Sequence, residues 1–170
     1  MKVIIVLLVL LFNVLSLSGQ ESDGGCRQGS YDIVKPFLGE WEEYTITDSA
    51  EVYIGRLSTH LSLEGCILNQ SFDAPGLNFA YKSQGFVNPA SGVWEEIYIF
   101  NNGGYSRFLW VVDGTSIYTL RVGGSRITNN LHRLLYTDVK KNEYVVIQQE
   151  SIDGGKTWTS KDSTRIKRIK

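Results

Sequence analysis

Histidine and cysteine are scarce in this chain, with two of each in 170 residues. His60 and His132 stand far apart, and there is no His-x-His, Glu-x-x-His or close cysteine pair. The spacings that build a local metal site are therefore missing, and no metal is expected. No Gly-x-Ser-x-Gly motif marks a nucleophile elbow, and no glycine-rich phosphate loop leads into a helix. Charge of one sign is lacking too. Lysine and arginine number 17 against 18 acidic residues, so there is no basic excess to hold a phosphate backbone, and nucleic acid is not an expected partner. Basic residues do gather at the end (Lys161, Arg165, Lys167, Arg168, Lys170), where strand alternation sets most of them on a solvated face. No convincing long amphipathic helix is visible, which argues against parallel βαβ units.

The one long apolar run lies at the start. Lys2 precedes an unbroken stretch from Val3 to Phe12, and small residues follow at Ser16, Ser18 and Gly19. That pattern predicts a secretory signal over residues 1–18, too short for the roughly 20 residues of a membrane span. No membrane span is expected after cleavage, and the expected location is secreted or periplasmic. Asp23-Gly24-Gly25 before Cys26 lacks the apolar residue that a lipoprotein anchor would show. Residues 19–30 read as a flexible leader with almost nothing to bury. Outside the cytosol, Cys26 and Cys66 can form a single disulfide, contributing about 3–4 kcal/mol by closing the loop between them. The alternative is a buried free thiol at Cys66. Asn69-Gln70-Ser71 is the single glycosylation sequon, relevant only in a eukaryotic source.

From residue 31 onward one domain is expected, over 31–170. Tyr31 to Leu38 predicts a short helical turn limited by Pro36, and Trp41 offers the first large core side chain. Strand patterns then follow in succession: Trp41–Thr47, Val52–Leu63, Cys66–Phe72, Asn78–Val87, Val93–Phe100, Tyr105–Val112, Thr115–Val122, Leu131–Val139, Tyr144–Ile152 and about Ser163–Ile169. The breaks between them are rich in Gly, Asn, Asp and Pro, the chemistry of short turns. Short turns imply consecutive antiparallel pairing. About ten such strands leave two exposed edges unless the sheet closes, so the expected fold is an all-β, single antiparallel up-and-down barrel, with a sandwich as the runner-up.

Four segments carry a family resemblance. They are Phe37-Leu38-Gly39-Glu40-Trp41, Leu63-Glu64-Gly65-Cys66-Ile67-Leu68, Gly92-Val93-Trp94-Glu95-Glu96 and Glu150-Ser151-Ile152-Asp153-Gly154-Gly155-Lys156-Thr157-Trp158. In this order and spacing the chain, over roughly residues 36 to 169, resembles the calycin-like (lipocalin-like) proteins of the domain of unknown function 1579 group. The resemblance implies a barrel of about ten strands with an internal cavity and no settled activity. The haem-binding nitrobindins look like distant relatives. Neither histidine falls in a matching motif, so no haem ligand is carried over and no cofactor is expected.

Within the strands, alternation puts Trp94, Glu96, Tyr98 and Phe100 on one face, and Ser106, Phe108, Trp110 and Val112 on one face of the next strand. Nine Tyr, seven Phe and four Trp are enough rings to fill a barrel or line a cavity in it. The expected ligand-binding set is an aromatic floor of Trp94, Tyr98 and Trp110 with Glu96, Arg133 or Glu150 fixing a polar end. The leading expectation is thus a barrel that binds a small, partly apolar ligand in its interior. The alternatives are a barrel hydrolase or isomerase using an inward carboxylate, Glu96 or Glu150, and a structural or interaction protein of the cell envelope. Ser151-x-Asp153-x-Gly155-x-Thr157-Trp158 also matches an Asp-box. It occurs once, without a blade-length repeat, and so reads as a structural hairpin with Trp158 plugging the core.

Overall fold

The computed structural model describes residues 31–125 and 129–169. The predicted signal, the leader and Cys26 lie outside the described residues.

Ten strands form one sheet closed on itself: β1 Gly39–Ile46, β2 Glu51–Ser62, β3 Ile67–Ala74, β4 Phe79–Val87, β5 Trp94–Phe100, β6 Tyr105–Asp113, β7 Ser116–Gly124, β8 Leu131–Thr137, β9 Glu143–Ser151 and β10 Thr159–Arg168. Every strand pairs antiparallel with its sequence neighbours, and β1 pairs with β10 to close the barrel. The expected all-β antiparallel barrel of ten strands is the fold observed. Closure satisfies the backbone groups that an open sheet would leave on two edges. Boundaries shift by a residue or two elsewhere, and the largest change is that β10 begins at Thr159, not near Ser163. A register shift between Ser160 and Asp162 breaks the alternation there and hides the early part of the strand from a period-two reading.

The end of the barrel at the start of β1 is plugged. A 3₁₀ turn at Lys35–Phe37 follows Tyr31, with Pro36 inside its first turn, where a missing N–H costs nothing. Val34 and Phe37 are buried, and Phe37 meets the rings of Trp110, Tyr136 and Tyr144. Tyr31 stacks edge-on against Trp94 at 4.7 Å and donates its hydroxyl to the Cys66 carbonyl at 2.9 Å. Cys66 is disulfide-bonded, and Cys26 is the only other cysteine in the sequence. The buried core of Trp41, Leu57, Leu68, Trp94, Trp110, Tyr144 and Ile166 gathers around this plug.

Three places disturb the sheet. Between β1 and β2 the register jumps at Glu43/Tyr44, so that Glu43 faces Gly55, Tyr44 faces Tyr53 and Ile54 is the extra residue. Gly55 is obligatory there, because a Cβ would stand 2.3 Å from the Asp73 carbonyl oxygen. The other two shifts lie at Arg107/Phe108 and at Ser160/Asp162.

The β9–β10 connection is a turn built on Asp153. Its carboxylate accepts the Thr157 amide at 3.0 Å and the Thr157 hydroxyl at 2.7 Å, while the Ser151 hydroxyl accepts the Gly155 amide at 2.8 Å. These bonds, those from Thr157 foremost, hold the Asp153 carboxyl down at about 2. Gly154 and Gly155 adopt φ of 75° and 92°, values an L side chain resists. Trp158 does not plug the core as expected. It is half-buried under the Arg133 guanidinium at 4.1 Å. Trp158→Ala should therefore cost only about 1–2 kcal/mol, a cation–π contact with partial burial, rather than the roughly 3–5 of a core tryptophan. Urea denaturation of the variant checks this.

The basic end of the chain lies on the wall. Arg165 and Lys167 reach Glu51 at 2.7 and 2.5 Å, and Arg165 also faces Glu143. Arg168 lies over the Trp41 ring at 3.9 Å and donates to the carbonyls of Leu38 and Lys141. Among the described residues no helix is long and apolar enough to cross a membrane.

Candidate functional site

Above the plug the barrel is hollow. A cavity of about 620 Å³ runs from Phe37, Trp110 and Tyr144 to a mouth bordered by Leu77, Phe79, Asn102, Tyr105 and Ser125. Its existence follows from strand number. Ten strands enclose more space than their inward side chains fill near the mouth, whereas at the other end the added chain from Tyr31 to Leu38 completes the packing.

Rings make up much of the wall, in contact with one another. Phe72 stacks on Tyr81 at 5.4 Å, Tyr81 meets Tyr98 at 5.0 Å, and Tyr98 meets Phe108 edge-on at 5.2 Å. Across the cavity Trp110 stacks on Tyr136 at 5.2 Å. Such interlocked rings leave few alternative rotamers, so the cavity is preformed. Burial raises the phenol groups of Tyr81, Tyr98, Tyr136 and Tyr144 above the ordinary tyrosine range. They stay neutral hydroxyls at any physiological pH.

The residues named from the sequence fall into three places. Tyr98 and Trp110 line the cavity. Trp94 and Glu96 share their face but sit deeper in the packed end. Trp94 is 4 % exposed beneath Tyr31, and Glu96 is fully buried. The Glu96 carboxyl accepts Ser83 Oγ at 2.5 Å and Trp110 Nε1 at 2.8 Å. Burial raises its pKa, and the bonds from Ser83, Trp110 and Tyr98 pull it back. Glu96 thus fixes the orientation of Trp110 from behind the wall. Arg133 and Glu150 are engaged elsewhere. Arg133 is among the residues bordering the cavity, but its guanidinium donates to Gln149 Oε1 at 2.7 Å and lies against the rings of Trp158 and Tyr118. Glu150, at the rim end of β9, accepts Asn130 Nδ2 at 2.6 Å and pairs with Lys161 at 3.1 Å. These contacts, Asn130 first, lower its pKa. An inward general base at Glu150 is not what this geometry provides.

Besides Asp162 near the mouth, the carboxyl that reaches the cavity is Glu43 on β1. Its neighbours across the sheet are Gly55 and Ile166, neither of them polar. Among the described residues no hydrogen bond or ion pair engages it. Burial alone pushes its pKa up to about 7, and what exposure it has faces the interior space. The sequence carried a signal for it. Trp41 was identified as a core residue, and Glu43, two positions on, shares its face. Toward the mouth the lining also includes Arg121, His132, Arg133 and Asp162. Among the described residues no group of three or more His, Cys, Asp or Glu is placed to hold a metal ion. Comparison with protein-family models finds no match for this chain, and comparison with curated proteins finds none either.

Proposed function

We propose that this protein is a secreted or periplasmic binding barrel that takes a small, partly apolar molecule into its interior. The cavity carries this reading. Its volume of about 620 Å³ lies within the roughly 300–1,000 Å³ of small-molecule sites, and it is lined by rings with a few polar groups. The apolar run Val3–Phe12 and the bonded state of Cys66 support action in an oxidising compartment.

Titration of the tryptophan fluorescence with naphthalene-based probes should show saturable, one-site uptake. Val146 lines the cavity, so Val146→Trp should weaken uptake by about tenfold or more while the circular dichroism stays that of the parent. Unsaturable or absent uptake by the folded parent protein would overturn the proposal.

A further inference from the structure

Given the interior-binding function proposed above, on which this rests, we infer that the ligand is an organic cation: a protonated amine on an aromatic or apolar body, its ammonium seated at Glu43. The other two acids considered, Glu96 and Glu150, already have donors in Ser83, Trp110, Asn130 and Lys161. Glu43 has none among the described residues, yet it faces the cavity. A largely buried carboxyl without a protein donor is unfavourable, and one that faces a cavity takes its partner from what enters that cavity.

The surroundings decide the sign of the ligand. The strands flanking Glu43 oppose it with Gly55 and Ile166, so neither opposing residue supplies a countercharge. The phenols of Tyr81, Tyr136 and Tyr144 lie within range of its charge. Aromatic faces present negative density, which attracts a cation and repels an anion. A carboxylate ligand would meet Glu43 and the ring faces together. A neutral ligand would leave Glu43 unpaired. The lining groups that titrate or carry charge nearer the mouth, Arg121, His132, Arg133 and the exposed Asp162, belong to β7, β8 and β10, and the Arg133 guanidinium is held by Gln149 and Trp158. They border the entrance and do not pair with Glu43.

The test compares three near-isosteric probes on the unmodified protein by calorimetry: naphthylmethylamine, naphthylmethanol and naphthoate. The amine should bind about tenfold or more tighter than the alcohol, and naphthoate weakest. Amine affinity should fall by about tenfold or more from pH ~8 to pH ~5 as Glu43 takes up a proton, while the alcohol changes little. Glu43→Gln should abolish the preference for the amine and retain the alcohol, whereas Glu150→Gln, at the rim, should leave the preference intact. Alcohol or naphthoate binding as tightly as the amine would overturn the cation assignment and leave the binding barrel standing. Binding of none of the three would overturn both. The comparison on the parent protein decides the matter even if Glu43→Gln does not fold.

Discussion

Glu43→Gln is expected to stabilise the protein at pH ~8 by roughly 2–3 kcal/mol and to change stability little at pH ~4. The carboxyl is raised from 4.5 to about 7 in the fold, so the native state holds this proton more tightly than the unfolded chain does. Below pH ~4.5 both states carry the proton and the group is neutral in its effect on the difference being measured. Between pH ~4.5 and about 7 the unfolded chain ionises freely, while the native state holds the proton because Glu43 would ionise against low-dielectric walls. Native stability is lost across that window and is flat above it. Glutamine keeps the shape and removes the ionisation. Urea denaturation of both proteins at the two pH values is the measurement, and an equal difference at both would mean that Glu43 titrates as an ordinary surface acid. At lower pH a second group acts in the opposite direction. Asp153 is depressed to about 2, so its contribution is present above pH ~4 and disappears as pH falls toward 2. A carboxyl left destabilising in an aromatic cavity is what the proposed binding of a cation would require.

Trp41→Ala is expected to cost about 4 kcal/mol or more and to lower the melting temperature by roughly 10–15 °C. Trp41 is fully buried, its Nε1 donates to the Phe37 carbonyl at 2.9 Å, and its ring meets Tyr144 edge-on at 5.1 Å and Arg168 at 3.9 Å. Removing it leaves a large void, an unpaired carbonyl in the plug and a guanidinium with nothing to lie on. The damage concentrates at the cavity floor, because Phe37 belongs to both the plug and the lining. The variant should therefore also become sensitive to proteolysis near residues 31–38. Calorimetry that showed a loss below about 1.5 kcal/mol would mean that the plug is held by other contacts.

How much of this could be read beforehand differs between fold and site. Turn chemistry at Asn101-Asn102-Gly103-Gly104 or Asp113-Gly114 marks chain reversals wherever it occurs, since it acts within a few residues. Alternation in Trp94–Phe100 likewise tells which side chains share a face. Neither tells how far along the barrel axis a side chain stands. Glu96 and Tyr98 share a face two residues apart, yet one is sealed behind Trp110 and the other lines the cavity. The Arg133 guanidinium is taken up by Gln149, its register partner on β9, and by Trp158, contacts between strands whose pairing the local sequence leaves open.

The sequence by itself therefore determined the number of strands, their order and their antiparallel sense, because those depend on period-two patterns and on turns of a few residues. It also set Trp94, Glu96, Tyr98 and Phe100 on one face of their strand. The tertiary structure alone decided which of them meet, how deep each lies and which acid is left without a donor. Depth is set by the stagger between strands and by the plug from Tyr31 to Leu38, and both are sums over contacts distant in sequence. Glu43 became the candidate only when closure of β1 against β10 set it opposite Ile166, with the cavity before it.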